Sequence, residues 1–194
     1  FEPALLSLGQ IEFNNRNYKK AIYYFDLCNT KETRSRALIA LYKINEIDEI
    51  FERIKKFSIQ DEKNLTISAF SSFIENITKK ETANNFCKKP LDFLCYSNIS
   101  SHLKNSSIYV EELITEIKKH ETIWEPFRKS TKNGYQSKYD LFTNTSNEIK
   151  NLKKIILKEI DNYFLKFKNN DNSFINNWPL KKNLEAWHVV YKKK

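Results

Sequence analysis

Few residues of this chain have the type and spacing that metal binding requires. The candidate ligands of a zinc ion are Cys87, Cys95, His102 and His120. Structural zinc sites pair ligands that lie about two to four residues apart and then repeat that pair. The four candidates are farther apart than this, so we expect no metal site in the chain.

The sequence also has few residues suited to acid–base catalysis or to phosphate binding. Glu111 and Glu112 are adjacent on a predicted helix, where neighbouring side chains diverge and cannot act together on one atom. The chain has only two glycines, which are too few for the glycine-rich loops that bind phosphates or for a nucleophile elbow. We therefore predict no catalytic residue within these 194 residues.

The composition favours a folded, mainly helical chain. Hydrophobic residues make up 40% of it, and the scarcity of glycine and proline argues against a sandwich of many tight turns. Three cysteines form no disulfide framework, so we expect a cytoplasmic protein. There is no run of about 18 apolar residues, so we expect no membrane contact. The net charge of +9 comes from scattered lysines, which favours a solvated surface over nucleic-acid binding.

The last of the elements that could position functional residues is a strand, predicted within residues 176–194. Period-two alternation places three large side chains on one face: Trp187, Val189 and Tyr191. The other face would carry Ala186, His188 and Val190. A lone strand needs partners for its backbone groups, and we expect those partners beyond Lys194. Because the chain also begins without a methionine, we interpret it as a fragment of a longer protein.

Residues 4–28 predict a hairpin of two helices joined by a polar turn at residues 14–17. The spacing resembles that of a tetratricopeptide repeat (TPR), carried by Leu5, Leu8, Gly9, Tyr18, Ala21, Phe25 and Cys28. Small Gly9 and Ala21 would let the helices approach closely, while the larger side chains fill the space between them. Glu12 stands where the repeat usually has an aromatic residue, and an ordinary antiparallel helix pair is the alternative.

A second helix pair is predicted over residues 33–57, and an apolar stripe over residues 60–79 would cover the end of a stack. The periodicity lapses after residue 80. We therefore predict a TPR-like region over residues 1–82, followed by an α+β region over residues 83–194. If the first region binds a protein or peptide partner, first-helix residues Gln10, Phe13 and Asn14 would line its groove.

Two further helices are predicted in the second region, at about residues 107–120 and 146–168. Thr145 and Glu148 would form a capping box for the second helix, which we expect to pack across the sheet begun by the final strand. Residues 122–142 have no helical period, and Pro126 with the pair Asn133 and Gly134 predicts loop with brief strand.

The second half resembles a bacterial family in which TPR repeats precede a 2-oxoglutarate and iron(II) dependent oxygenase domain. The resemblance rests on FCKKPLDF (residues 86–93), on the W-x-P, S-T-x-x-G-x-Q and L-F elements of residues 124–142, on the long helix, and on WPLKKNLEAWHVVYKKK (residues 178–194). It implies the start of a double-stranded β-helix. In that family a His-x-His or His-x-Asp iron motif follows directly, and this chain stops short of it.

The resemblance also implies site residues. Tyr191 would bind the cosubstrate, with a packing role as the alternative, and Gly134, Tyr135 and Gln136 would line an active-site loop, with a plain turn as the alternative. His188 faces away from Tyr191 and is not expected to bind metal. Iron(II) and 2-oxoglutarate would belong to the parent protein, and we expect neither to be bound by this fragment, nor turnover by it.

Two functions are therefore predicted. The first is a fragment of an oxygenase that hydroxylates a protein or peptide side chain and uses its TPR-like repeats to bind a partner or substrate. The alternative is a noncatalytic TPR-type protein-interaction scaffold.

Overall fold

The computed structural model describes residues 1–127, 129–143 and 146–191. Its contacts divide the chain into two units. The first comprises Phe1–Leu94 with Asp171–Asn176, and the second comprises Cys95–Asn170 with Asn177–Lys194. The chain is mainly helical, with a small antiparallel sheet in the second unit.

The first unit is a series of helices that pack on their neighbours along the chain. They are α1 (Glu2–Asn14), α2 (Tyr18–Cys28), α3 (Lys31–Lys43), α4 (Ile47–Gln60) and α5 (Leu65–Thr78). Helix α3 also packs on α5, so the helix that follows the second pair lies beside the first helix of that pair. The two predicted helical hairpins and the helix that follows them are confirmed.

Two apolar clusters form the core of the first unit. The larger joins α3, α4 and α5 through buried side chains that include Leu38, Ile54 and Ile74. The smaller joins α1, α2 and α3 through Ala21, Phe25 and Ala37. Gly9 of α1 lies directly over the Phe25 ring, because a Cβ atom built on Gly9 would be 2.4 Å from Phe25 Cε1. The predicted close approach of α1 and α2 is therefore confirmed.

Side-chain caps mark the first turns of α3 and α5. Thr30 and Thr33 form a reciprocal capping box at the start of α3, with Thr33 N donating to Thr30 Oγ1 at 3.3 Å and Thr30 N donating to Thr33 Oγ1 at 2.8 Å. Asn64 caps α5 by accepting hydrogen bonds from the backbone of Thr66 and Ile67. Such caps satisfy backbone donors that the first helical turn leaves without partners. The short helix α8 (Ser173–Asn176) also belongs to this unit, where Phe174 meets the ring of Phe86 edge-on.

The second unit contains α6 (Ser106–Ile117) and α7 (Asn147–Phe167). They meet in a cluster built around Tyr109, Leu113 and Ile149. Ser146 caps α7 by accepting a hydrogen bond from Ile149 N. Thr145, which we expected to cap this helix, lies outside the described residues. The main contacts of α7 are with α6 and the 3-10 turn Leu141–Thr143, and not with the sheet as predicted.

The sheet has the order β1-β2-β3, with β1 (Thr122–Trp124), β2 (Tyr135–Ser137) and β3 (Val189–Val190) all antiparallel. Val190 pairs with Tyr135 and Val189 pairs with Gln136. The expectation that the terminal strand has its partners beyond Lys194 was therefore wrong for one side, because β2 occupies that side. Within the described residues, the other side of β3 is the edge of the sheet.

Candidate functional site

A cleft of about 570 Å³ lies between α3 and the start of α5. It is lined by residues of the first three turns of α3 and by residues at the start of α5 and just before it, including Lys31, Ser35, Ile39, Lys63, Leu65 and Thr66. Cleft volumes of this order are typical of ligand-binding sites. The cleft therefore lies where the first helix of the second pair meets the helix that follows that pair.

Asn64 holds the two walls of this cleft together. Its buried side chain accepts from Ser35 Oγ at 3.3 Å and donates through Nδ2 to Lys31 O at 3.0 Å. The same Oδ1 atom accepts from the backbone N–H groups that begin α5. One side chain thus caps α5 and joins it to the first turn of α3, so the spacing of the cleft walls is set by hydrogen bonds.

A buried ion pair supports the segment that precedes Asn64. Arg34 Nε donates to Asp61 Oδ2 at 2.5 Å, and its Nη1 donates to Asn29 O at 2.5 Å. The hydrogen bond from Arg34 is the main factor that lowers the pKa of Asp61 below its ordinary value. Because Arg34 belongs to α3, it holds the loop before α5 against the helix that forms the opposite wall.

The cleft carries an excess of positive charge. Lys31 and Lys63 are exposed, and neither forms a salt bridge in the part of the chain that the structure describes. Glu32 is the acidic residue of the lining, and its carboxylate is paired with Arg36 at 2.6 Å. The amino-terminal ends of α3 and α5 add positive dipole ends at the same place.

Two of the three predicted groove residues of α1, Gln10 and Asn14, are linked to this cleft by hydrogen bonds. Gln10 Nε2 donates to Asn14 Oδ1 at 2.8 Å, and Arg36 of the cleft donates to Gln10 Oε1. These contacts connect the polar face of α1 to α3. Phe13 does not share that role, because it is half-buried in the core of the first hairpin and meets the ring of Tyr18 edge-on.

The sequence analysis did not identify Lys31, Lys63 or Asn64. The pattern Thr30-x-x-Thr33 was a signal for the start of α3, and an asparagine before the apolar period of residues 65–78 was a signal for the start of α5. These signals predict where helices begin. They do not predict that the two helix ends meet, because that contact joins residues far apart in the sequence.

The residues predicted from the oxygenase resemblance lie in or beside the sheet. Gly134 is buried beneath Tyr191, since a Cβ atom on Gly134 would be 2.8 Å from Tyr191 Cε1. Tyr191 is 64% exposed. Gln136 is buried and accepts a hydrogen bond from Thr131 Oγ1 at 2.7 Å. Tyr135 follows Gly134 on the face opposite to Gln136 and meets the ring of Trp124 edge-on. The structure therefore brings Tyr191 to Gly134, while Gln136 is engaged in an internal contact.

His188 is a half-buried residue that precedes β3. Its Nδ1 atom is buried without a hydrogen-bond partner among the described residues. Burial and, secondarily, the nearby His120 lower the pKa of His188. The neutral imidazole is therefore the form that the fold favours.

The described residues do not provide a ligand set for iron(II). No cluster of three or more histidine, cysteine, aspartate or glutamate side chains occurs within residues 1–127, 129–143 and 146–191. All three cysteines are free thiols. No helix of the described chain is both long and apolar enough to cross a membrane.

Comparison of the chain with known protein families, with curated proteins and with solved structures finds no match. The function has therefore to be argued from the site itself.

Proposed function

We propose that the first unit binds an extended segment of a partner protein in the cleft between α3 and α5. The observation that carries this proposal is the cleft itself, whose walls belong to the first helix of the second pair and to the helix that follows it, and are joined by Asn64. A helical-repeat scaffold of the TPR type uses such a face to bind peptides, and stacked helix pairs create extended binding surfaces of this kind.

Preorganisation supports the same proposal. The side chain of Asn64 and the Arg34–Asp61 pair fix both walls before any ligand arrives. A binding site that is already ordered loses less conformational entropy when a flexible segment binds. Gln10 and Asn14 extend the polar surface from α3 towards α1, so a longer segment would contact the first hairpin as well.

The experiment that tests this proposal compares two tryptophan substitutions in the full chain. Peptides selected against the wild-type protein from a displayed library are measured again with Thr66→Trp, which fills the cleft from an exposed position of α5. Asn76→Trp, an exposed position of the same helix outside the cleft, is the matched control. We expect Thr66→Trp to abolish binding and Asn76→Trp to leave it unchanged. Selected peptides that bind Thr66→Trp as well as wild type would refute the proposal.

The second candidate function is the oxygenase implied by the family resemblance. The side of β3 that has no partner strand within the described residues, and the placement of Tyr191 over Gly134, favour it, because a sheet that continues from β3 would enclose this face. In this proposal the second unit begins a double-stranded β-helix domain, the cleft of the first unit recruits the protein that is hydroxylated, and the protein acts in the cytoplasm. In this proposal the iron ligands come from residues that lie outside these 194.

The oxygenase proposal is tested on the gene and on its full product. The proposal requires a His-x-His or His-x-Asp motif shortly after the codon for Lys194, then a second histidine and a basic residue for the cosubstrate carboxylate. The full product should then form succinate from 2-oxoglutarate in an iron-dependent manner. A reading frame without these residues would refute the oxygenase proposal and leave the binding scaffold.

A further inference from the structure

We infer that the segment bound in the cleft between α3 and α5 is acidic and carries an apolar side chain next to its carboxylates. This inference rests on the proposed function, since it names the chemistry of the partner that the same cleft would bind.

The charges of the cleft select an anionic ligand. Lys31 and Lys63 stand at the lining without salt bridges in the described chain, whereas the carboxylate of Glu32 is engaged by Arg36. A carboxylate that enters the cleft therefore meets two ammonium groups that form no salt bridge in the described chain; that of Lys63 has no recorded carboxylate partner there, whereas that of Lys31 also attracts the buried carboxylate of Asp61. Complementary charges of this kind favour the correct partner and speed its association.

The helix ends act in the same direction. Lys31 is in the first turn of α3, and Lys63 directly precedes the cap of α5. The amino-terminal end of a helix carries a partial positive charge. The lysines and the helix ends thus reinforce each other at one place, and a basic segment would be repelled there.

Aliphatic side chains complete the lining. Leu65 is 63% exposed at the start of α5, and Ile39 of α3 lies on the opposite wall. Burial of an apolar ligand side chain against them would be favourable in proportion to the area removed from water. The residues that line the cleft include no aromatic ring on which a nucleic-acid base could stack. An acidic peptide with an apolar residue therefore fits better than a nucleic acid.

The test uses three fluorescent, end-capped octapeptides in which leucine alternates with glutamate, glutamine or lysine. We expect the glutamate peptide to bind the full chain about tenfold more tightly than the glutamine peptide, a difference of about 1.4 kcal/mol. The lysine peptide should bind more weakly than either. Binding of the glutamate peptide should also weaken as salt is added, because exposed charges are screened.

Charge reversal identifies the residues that are responsible. The double variant K31E/K63E should bind the glutamate peptide about tenfold more weakly, which corresponds to about 1.4 kcal/mol, and should leave the glutamine peptide unaffected. Both changes place acidic residues at helix starts, where they are favourable. Because K31E also removes the attraction between Lys31 and Asp61, circular dichroism at 222 nm is used to check that the double variant is folded. The control K19E/K55E changes the net charge equally at exposed sites outside the cleft, and its effect should be small.

The outcomes separate this inference from the proposed function. If the glutamine peptide binds as tightly as the glutamate peptide and Thr66→Trp blocks both, the cleft binds peptides but the inference of an acidic partner is wrong. Equal losses in K31E/K63E and K19E/K55E would also overturn the inference, since they would reflect net charge alone. A single-stranded oligonucleotide that binds more tightly than the glutamate peptide, and depends on Lys31 and Lys63, would replace the acidic peptide by a nucleic acid.

Discussion

Replacement of Gly9 by alanine should have two opposing effects on the free energy of unfolding. In a helix interior, alanine is favoured over glycine by about 1 kcal/mol. At Gly9, however, the added Cβ atom would lie 2.4 Å from Phe25 Cε1 and 2.5 Å from Phe25 Cδ1. Ordinary contact begins near 3.4 Å, so the overlap is large. Helix propensity alone predicts a stabilised variant, and packing predicts a destabilised one.

We expect the packing effect to be larger than the propensity effect, so that the variant is less stable, because the Phe25 ring has no space to move. Phe25 is 1% exposed and is enclosed by Leu6, Ala21 and Ala37. Overpacking of a well-filled core costs about 1 to 3 kcal/mol, and this overlap belongs at the upper end. After the propensity gain is subtracted, we expect Gly9→Ala to reduce the free energy of unfolding by about 2 kcal/mol.

Urea unfolding followed by circular dichroism at 222 nm measures this change. Most of the helix lies in the first unit, whereas all three tryptophans, Trp124, Trp178 and Trp187, lie in the second. Dichroism therefore reports mainly on the unit that contains Gly9, and tryptophan fluorescence reports on the other. With a slope of about 1 kcal/mol per molar urea, the dichroism midpoint should fall by about 2 M.

Two controls isolate the contact between Gly9 and Phe25. Ser7→Ala, at an exposed position of the same helix, loses one exposed hydrogen bond from Ser7 Oγ to Pro3 O and gains helix propensity, so it should change the midpoint little. In a Phe25→Leu background, the cost of Gly9→Ala should shrink by more than about 1 kcal/mol, since contacting residues are not additive. A Gly9→Ala midpoint at or above that of the wild type would refute the packing argument.

Three further predictions concern other contacts. Asp61→Asn leaves Arg34 buried without its charged partner, and the free energy of unfolding measured by dichroism should fall by about 3 kcal/mol. This is the lower end of the range for a broken buried ion pair, because Arg34 keeps its hydrogen bond to the backbone carbonyl of Asn29. Because folding lowers the pKa of Asp61, the stability it provides above the unfolded value of about 3.9 is lost as pH falls through the folded pKa. In Asp61→Asn this part of the acid dependence should disappear, and an unchanged urea midpoint or pH profile would contradict the ion pair. Folding also lowers the pKa of His188, so the second unit should lose stability as pH falls below the unfolded value of about 6.5, and His188→Asn should flatten the fluorescence-monitored profile there. Tyr109→Phe removes a 2.8 Å hydrogen bond to Glu148 O and should cost about 1 kcal/mol in the same assay, where no shift would show that the bond contributes nothing.

The helices could be predicted because their signals are local. Apolar residues recur with the helical period through α2, α4 and α7, and small residues mark the crossing of α1 and α2. Gly9 is the clearest case, since its residue type alone predicted a close approach that the structure shows against Phe25. The coarse fold class followed from these periods. The TPR and β-helix assignments did not, because they depend on how helices and strands are arranged beyond their neighbours.

The cleft could not be predicted because its construction is not local. Ser35 and Asn64 are joined by a side-chain hydrogen bond across 29 positions of the sequence, and Arg34 and Asp61 across 27. From the local sequence alone, each of these residues is interpreted as part of a helix start or of a loop. Only the packing of α3 on α5 converts them into the two walls of one cleft.

The terminal strand shows how a correct local pattern can coexist with a wrong partner. Alternation identified Val189 and Val190 as strand residues, and brief strand was also predicted within residues 122–142, where β1 and β2 lie. The pairing of β2 with the terminal strand was not predicted, because a strand of three residues is too short to indicate its partner. Backbone pairing requires only a suitable register, and Tyr135 and Gln136 provide one. Since β2 already supplies one side, the oxygenase proposal needs a new strand only on the outer side of β3. Trp187 and Tyr191 are both exposed, and sequence alternation predicts that they share one face, which such a strand would have to help bury.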